Sequence, residues 1–496
     1  MATLPSASDP KLWGTKYNTY LQVEHKADGK HGDITCDSIK TKYPHIDATH
    51  PDYGVVADGT TDDASALRLA IAAGISTTHP VLLPAGSIKI GSEVEIASPV
   101  EIYGAGRAAT ALVGVAASGS VLSYTGTSNT PSTLSDLTIS TTGYAMQCVN
   151  IASQSSSATP MVFKHCKFLG DLNGGGGFLF KTSGILTTIY DCDFTPSHAD
   201  VVALNFEMNN QNSSVRNCRF LVGGKGISIS NVGAGTACEG IMIKDNLFAL
   251  PGTFAIEVGG SASYIYIHGN MIDQIVTGAS GITVIAGAAN TSIIGNYIGG
   301  KAANAGTGVY VSSAAGDNHL IQSNDIQIFG TGIVVDGVGA AFVDAVTINN
   351  NWFTAITNRC LELDSTTNCI VTSNTDTTAA PALGSWGTLS TVSSGSFTFD
   401  NNRWASAGLG SYDTSATYRY GNDTGIVGRN WGAATAGGAV TTLDIAHGCV
   451  ITPSVVNVTM ATTGASNVHV SAVDGTNITV TWTGAITATI YWEAIV

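Results

Sequence analysis

A repeat without a helix organises the middle of the chain. Each copy has an apolar residue, two variable residues, a residue that we call the marked residue, one variable residue and a second apolar residue. Phe163-Lys-His-Cys166-Lys-Phe168 is an example, with Cys166 as the marked residue. The marked residues lie 23 to 29 positions apart, about 26 on average. Such a short unit buries its apolar face only by stacking on its neighbours. The marked residues are Leu137, Cys166, Cys192, Cys218, Asn246, Asn270, Asn296, Asn324, Asn351, Asn374 and Asn402.

A second series recurs with the same period. Each of its copies has a small residue, an apolar residue, any residue and another apolar residue. It advances by similar steps, so each repeat holds at least two short strands of period-two alternation. The arrangement that buries such strands is a parallel β-helix with three strands per coil. Leucine-rich repeats would need their leucine consensus, and propeller blades are nearer 40 residues long. The second series starts at Ala203, Gly226, Ala255, Gly281, Gly308, Gly332 and Cys360.

The residue before each marked position is mostly Gly, Asn or Asp, the types that tolerate the left-handed αL conformation. We therefore expect a bend there that turns the marked side chain inward. Seven stacked asparagines would then hydrogen-bond as a ladder, with three cysteines as small apolar fillers in the same column. These preceding residues are His165, Asp191, Asn217, Asp245, Gly269, Gly295, Ser323, Asn350, Ser373 and Asn401.

Charge is scarce. The 496 residues include 21 Lys+Arg and 36 Asp+Glu, with a net charge of −15. This balance argues against nucleic acid and anionic membrane surfaces as partners. No stretch predicts a membrane span and no signal peptide is visible. The odd count of nine cysteines without a signal peptide suggests reduced thiols. No CxxC pair occurs, so a structural zinc site is not expected, and neither a metal nor a cofactor is predicted.

The segment before the repeats carries a specific motif. Asp58-Gly-Thr-Thr-Asp-Asp63 precedes a predicted helix, and Leu83-Pro-Ala-Gly86 precedes a strand. This order resembles the N-terminal end of pectate-lyase-like right-handed β-helices, frequent in bacteriophage tailspikes and tail fibres. The resemblance implies that the helix forms a lid on the β-helix. Thr61, Asp62 or Asp63 is then expected to cap the helix rather than to catalyse.

The two ends differ from the middle. Residues 4–21 resemble N-terminal segments of phage tail proteins, which implies attachment to the virion. From about residue 430 the period stops, and Asp474-Gly475 is typical of a hairpin. Ala446-His447-Gly448, followed by Thr452-Pro453, resembles C-terminal modules of tail fibres, with a turn role favoured for His447.

The predicted fold class is therefore all-β. Residues 1–50 form an attachment segment, 51–425 a capping helix and a right-handed parallel β-helix, and 426–496 an antiparallel, β-sandwich-like domain for trimerisation or the tip.

The outward face of the second strand series is the place to look for a site, because related β-helices often hold sugar there. Its acidic positions include Glu207 and Glu257. Asp336 and Asp364 share a column on adjacent coils, and Glu362 lies two residues before Asp364. Such spacings suit paired carboxyls of glycosidases. Asp336, Glu362 and Asp364 are the predicted catalytic residues; chance surface acids or calcium ligands are the alternatives.

Other patterns favour binding or structure. Asp191 and Asp193 are interpreted as structural, with Asp193 in a salt-linked surface ladder between Lys167 and Arg219. Outward aromatics are sparse, and Tyr310 and Trp352 are the predicted glycan-binding residues.

Family signatures of related enzymes are incomplete. Of the polygalacturonase-like signatures, Asn374-Thr375-Asp376 occurs but Gly-His-Gly does not. Pectate-lyase-like enzymes need a basic catalytic residue beside acidic calcium ligands, and basic residues are rare around the acidic trio, with Arg359 the nearest. If the protein is an enzyme, a glycoside hydrolase is favoured over a lyase.

Three functions fit these observations. The first is a phage tail fibre or tailspike: a homotrimeric virion protein, made in the host cytoplasm, which attaches to other tail or baseplate proteins and recognises a host receptor, expected to be a glycan. The trimer is implied by the family resemblance. The second is a depolymerase that cleaves capsule, lipopolysaccharide or exopolysaccharide. The third is a bacterial β-helix adhesin, which the missing secretion signal disfavours.

Overall fold

The computed structural model describes residues 45–126, 130–141, 146–152, 160–170, 177–207, 210–221, 223–230, 238–285, 287–301, 306–312, 315–336, 343–364, 366–377, 387–390, 396–403, 417–420, 429–436, 440–446, 452–460, 466–486 and 489–495. Almost all of the predicted attachment segment lies outside these residues, as do His447 and Gly448. Ile46 begins the unit described below.

Three long parallel sheets of 15, 13 and 12 strands run through the described part of the chain, and most coils contribute one strand to each of them. In sheet A the strands are Ile46–Asp47, Val81–Leu82, Glu101–Tyr103, Ser132–Ser135, Met161–Lys164, Thr187–Tyr190, Ser214–Arg216, Met242–Lys244, Ser263–His268, Ala289–Ile294, Leu320–Gln322, Thr347–Asn349, Ile370–Thr372, Ser396–Asp400 and Thr417–Tyr420.

In sheet B they are Asp58–Asp62, Gly86–Ile90, Thr110–Gly114, Thr138–Thr141, Lys167–Gly170, Asp193–Pro196, Arg219–Leu221, Leu247–Ala249, Met271–Ile275, Tyr297–Gly300, Asp325–Gln327, Trp352–Thr354 and Thr375–Asp376. In sheet C they are Val94–Ile96, Ser120–Tyr124, Gln147–Ile151, Phe178–Thr182, Val202–Phe206, Lys225–Ile229, Phe254–Val258, Ser280–Val284, Thr307–Ser312, Thr331–Asp336, Arg359–Asp364 and Gly387–Ser390. Val343–Asp344 and Thr366–Thr367 form a further parallel pair.

The repeat predicts the strand register correctly. Phe163 pairs with Ile189 in sheet A, and Ile189 with Val215. In sheet C, Leu204 pairs with Ile227, one predicted repeat later. These side chains are fully buried, because alternation sends every second residue of each strand into the core. The predicted all-β parallel β-helix is confirmed.

The inward polar column is an asparagine ladder. Asn246 Nδ2 donates to Asn270 Oδ1 at 3.0 Å, and Asn270 Nδ2 donates to Asn296 Oδ1 at 2.9 Å. The series continues through Asn324, Asn351 and Asn374 to Asn402. In the three coils that precede the ladder, the same column holds Cys166, Cys192 and Cys218, which are buried free thiols. Burial raises the pKa of Cys192 and of Cys218, so both stay protonated and act as fillers.

The bend before each marked residue is also confirmed. His165, Asp191 and Asn217 have φ of 52°, 53° and 58°, and Gly269 has φ of 62°. All ten predicted turn positions, together with Asp136, lie in the left-handed region. The short turn from sheet A to sheet B therefore repeats with one geometry, and it directs the next side chain inward.

The lid helix spans Ala64–Thr77 and packs its buried Leu67 and Ile71 onto the first coils. Asp63 precedes it, but its carboxylate accepts the N–H groups of Val56 and Ala57 in the preceding loop rather than capping the helix. Asp62 Oδ1 instead accepts from Ala64 N at 3.1 Å and from Gly91 N at 2.9 Å. The two acids thus join the helix start to the first coil.

Between Tyr420 and Arg429 the strand pairing changes from parallel to antiparallel. One three-stranded sheet holds Arg429–Thr435, Val455–Met460 and Thr489–Ile495, and another holds Val440–Ala446, Ser466–Val473 and Asn477–Ile486. Asp474 and Gly475 lie in the turn of the predicted hairpin. Both sheets contribute to one apolar core that includes Ile445, Trp482 and Trp492. Among the described residues, no helix has the length and apolarity to cross a membrane.

Candidate functional site

The outward side of sheet C carries a continuous column of side chains, one per coil. The residues two positions after the column point to the same side. We call the column and these residues together the sheet C face. The second set includes Ser183, Glu207, Ser230, Ser312, Asp336 and Asp364. Inward neighbours such as Leu204 and Phe206 fix its direction. The column consists of Glu95, Ser123, Asn150, Lys181, Asn205, Ser228, Glu257, Thr283, Tyr310, Val334 and Glu362.

The predicted acidic trio lies together on this face. Asp336 and Asp364 are in-register partners, so their backbones are about 4.8 Å apart. Glu362 pairs with Val334, two residues before the Asp336–Asp364 pair and on the same side of the sheet. Among the described residues, no three His, Cys, Asp or Glu side chains form a group that suits a metal ion. The proximity is as expected, and the catalytic role stays a prediction.

Two acids of the trio, Asp336 and Glu362, have neighbours that hold them. Tyr310 OH donates to Asp336 Oδ2 at 3.0 Å. Burial, and then this hydrogen bond, raise the pKa of Tyr310, so the phenol remains a donor. Arg359 Nη1 lies 3.4 Å from Glu362 Oε2. Predicted glycan-binding Tyr310 and predicted catalytic Asp336 thus form one unit.

A second polar cluster lies on the same face. Its acids Glu207 and Glu257 were predicted as outward positions, whereas Lys181 and Asn205 were not. Lys181 Nζ lies 2.9 Å from Glu207 Oε2, and both side chains are largely buried. Asn205 is fully buried although its position points outward, and Ser230 Oγ donates to its Oδ1 at 2.9 Å. Extending the second strand series one coil back, to Phe178–Thr182, would have placed Lys181 in this column.

Glu257 continues the cluster. Ser228 Oγ lies 3.4 Å from its Oε1. Burial raises the pKa of Glu257, and the nearby Lys225 and the Ser228 hydrogen bond only partly oppose this. A carboxyl group held in this way is closer to its neutral form than an exposed glutamate, so it is suited to donate as well as to accept hydrogen bonds.

The two predicted glycan-binding residues do not share a face. Trp352 begins a strand of sheet B, is 48% exposed, and donates from Nε1 to Thr354 Oγ1 at 3.0 Å. Tyr310 lies in sheet C. Joint stacking of both rings on one sugar segment is therefore excluded by the topology. Exposed Tyr264 and Tyr266 of sheet A were not predicted.

The ladder interpretation of Asp193 needs a correction. Asp193 does lie in register between Lys167 and Arg219. However, its side chain is only 8% exposed, so it is not a surface group. Arg219 donates to both of its oxygens at 2.7 Å, and Arg107 Nη1 lies 3.2 Å away. Asp191 has the predicted left-handed turn geometry and accepts from Asn217 Nδ2 at 3.1 Å.

Comparisons with known proteins agree with this architecture. A family model described as rhamnogalacturonase A/epimerase, pectate lyase-like, matches residues 51–249. The tailspike protein gp49 of Pseudomonas phage LKA1 aligns with a TM-score of 0.61 at 11% identity, covering 91% of this chain and 99% of that one. The tailspike gp61 of Pseudomonas phage phi297 gives 0.54 at 13% identity, covering 92% and 99%.

The catalytic unit of a GH87 α-1,3-glucanase from Streptomyces thermodiastaticus gives a TM-score of 0.52 at 15% identity, covering 78% of this chain and 69% of that one. No curated protein matches the sequence. At such low identities these likenesses define a fold. The predicted resemblance to pectate-lyase-like β-helices and phage tailspikes is thus confirmed at that level.

Proposed function

We propose that this chain is a phage tail protein of the tailspike or tail-fibre class and that its sheet C face binds a glycan of the host surface. One observation carries the proposal: polar and ionisable side chains follow this face coil after coil and hydrogen-bond to one another along it. Lys181–Glu207, Ser228–Glu257 and Tyr310–Asp336 are successive examples.

A surface polysaccharide is a repeating ligand rich in hydroxyl groups, and a regular row of donors and acceptors suits it. Binding sites place a few oriented polar groups on a rigid support. Here the support is a β-helix whose strands are joined in register. The phage tailspikes that share the fold over nine-tenths of this chain support the same assignment.

The remaining parts of the proposal follow from this role. Residues 1–50 attach the protein to other tail or baseplate proteins of the virion. Residues 51–425 form the shaft, and residues 426–496 contribute to a homotrimer or to the tip. Light scattering tests the assembly: three chains of 50.8 kDa give about 152 kDa, whereas a mass near that of one chain contradicts the trimer.

Binding to a panel of bacterial capsules, lipopolysaccharides and exopolysaccharides tests the main proposal. We expect the full chain to bind at least one polysaccharide. Tyr310→Phe and Glu257→Gln should each weaken that binding roughly 3- to 20-fold, as expected for the loss of one or two hydrogen bonds. Asp325→Asn, in sheet B, is the matched control and should bind normally. No binding to any polysaccharide, or equal losses in control and sheet C variants, contradicts the proposal.

A depolymerase is the second candidate, favoured by the in-register Asp336 and Asp364. Their backbones are about 4.8 Å apart. A retaining glycosidase uses two carboxyls about 5 Å apart, of which one attacks the anomeric carbon and the other donates a proton to the leaving oxygen. Incubation with the bound polysaccharide should then release new reducing ends, and Asp336→Asn or Asp364→Asn should abolish the release. Activity retained in both variants contradicts the trio, and absence of any product leaves binding as the function.

A further inference from the structure

A charged cleft lies at the corner between sheets A and B, away from the sheet C face. It has a volume of about 630 Å³. Its lining consists of Arg107, His165, Asp191, Asp193, Asn217 and Arg219. Five of these come from successive coils at the left-handed turns or just after them. Arg107 comes from an earlier coil, so no local pattern in the sequence announces this group.

Asp193 organises the cationic side of the cleft. Its buried carboxylate receives two N–H groups of Arg219 and lies 3.2 Å from Arg107. Nevertheless, Arg219 and Arg107 remain 49% and 38% exposed. Arg219 Nη1 and Arg107 Nη2 have no acceptor among the residues that the structure describes. The arginines are thus fixed in place while part of each guanidinium stays open to the cleft.

His165 lies on the other side of the cleft. Its Nδ1 is 3.3 Å from Asp136 Oδ1, and its Nε2 is 3.5 Å from Asp191 Oδ2. The His165 ring also makes an edge contact with Tyr190. Arg216 lies over the same Tyr190 ring, 5.6 Å from its centroid. The aromatic rings of His165 and Tyr190 therefore lie beside the charged groups.

The cleft lining itself is balanced, with Arg107 and Arg219 against Asp191 and Asp193. Within the described residues, Lys164, Lys167 and Arg216 have no ion pair. In a chain of net charge −15, these three cations on the flanking strands add positive charge beside the cleft and so favour a negative group there.

We propose that this cleft is a second saccharide site, one that binds an anionic sugar unit through its carboxylate or phosphate. Arg219 and Arg107 bind the anion through their free N–H groups. Lys167 lies next to them, and the sugar ring packs near Tyr190. Planar guanidinium groups suit such oxyanions. The site is independent of the sheet C face, so failure of glycan binding there does not remove it.

Titration calorimetry with the full chain tests the proposal. The probes are an oligogalacturonate as carboxylate, a sugar phosphate, and a neutral malto-oligosaccharide. We expect saturable binding of one or both anionic probes, weakened by added NaCl. The carboxylate and phosphate experiments distinguish the two anions. Equal binding of the neutral probe, or saturable binding of neither anion, overturns the proposal.

Variants locate the bound probe. Lys167→Ala changes a half-buried lysine and Arg216→Ala an exposed arginine, and neither has an ion pair among the described residues, so folding should persist. Each variant should weaken anion binding roughly 3- to 20-fold. Arg219→Lys keeps the charge but loses the fork that holds Asp193, and should weaken binding similarly. Lys301→Ala, an exposed lysine elsewhere, is the matched control. A loss in Lys301→Ala equal to that in Lys167→Ala places the anion outside the cleft and overturns the proposal.

Discussion

Asn296 Nδ2 donates to Asn324 Oδ1 on the next coil at 2.9 Å, and the same oxygen accepts the backbone N–H of Asn296 at 3.0 Å. Asn296 Nδ2 also donates to the carbonyl of Ile267 at 2.9 Å. Each carboxamide in the ladder repeats this arrangement, so a fully buried polar column leaves few groups unsatisfied. Such a column is tolerated in a core only when it is satisfied in this way.

Asn324→Ala should destabilise the β-helix strongly. It removes the acceptor of two Asn296 donors and the donor to Ile293 O, all in the dry core. Each orphaned buried group costs about 1–3 kcal/mol. We expect the free energy of unfolding to fall by about 2–5 kcal/mol, measured by denaturant titration. Asn358→Ala, at an exposed position in the next coil, is the control, and a similar loss there would contradict the role of the ladder.

Cys218→Asn should extend the ladder by one member. Cys218 N already donates to Asn246 Oδ1 at 2.9 Å, and its Sγ lies 3.7 Å from Ile189 O. An asparagine there has a carboxamide N–H₂ for both acceptors. The melting temperature should therefore stay unchanged or rise.

Cys218→Asp is the matched contrast. It has nearly the same shape but presents an acceptor to the Asn246 oxygen, and a buried carboxylate without donors is strongly destabilising. Melting curves of both variants test the idea. Equal losses for Asn and Asp would show that only volume matters at this position.

Asp62→Asn should reduce the acid sensitivity of the lid. Hydrogen bonds from Gly91 N and Ala64 N lower the pKa of Asp62 below its usual 3.8. A lowered folded-state pKa adds stability above the unfolded pKa, and this is lost as pH falls through the folded value. The free energy of unfolding, measured from pH 6 to pH 2, should therefore fall less steeply in the variant. Asp52→Asn, at a side chain that is 76% exposed, should keep the wild-type slope.

Glu257→Gln should separate binding from stability. Because burial raises the pKa of Glu257, its ionised form opposes folding at pH 7, and that penalty grows as pH rises through the interval between its unfolded and folded pKa values. The variant should melt at the same or a higher temperature at pH 7, yet bind the glycan less well. A lower melting temperature together with unchanged binding would assign Glu257 a purely structural role.

Sequence reasoning reached the strand register, the inward ladder and the left-handed turns because all three recur once per coil. Phe163, Ile189 and Val215 show the same pattern at the same spacing, and in-register stacking turns sequence period into spatial contact. It also placed Asp336 beside Asp364 on the sheet C face. The repeat also predicted that Trp352, the residue after Asn351, points outward; its strand belongs to sheet B, whereas Tyr310 lies in sheet C.

The sequence by itself therefore determined the β-helix, because a short strand period leaves no other way to bury the apolar columns. Only the tertiary structure decided which side chains act together. Arg107 meets Asp193 from 86 positions away, and the depth of Asp193 and Asn205 depends on packing that no local pattern encodes. The small residue at Gly332 has the same kind of cause: a Cβ there would lie 2.6 Å from Cys360 O on the next coil and 2.7 Å from Phe353. The repeat predicts a small residue at this position, but the reason for it is the close approach of two coils in the folded structure.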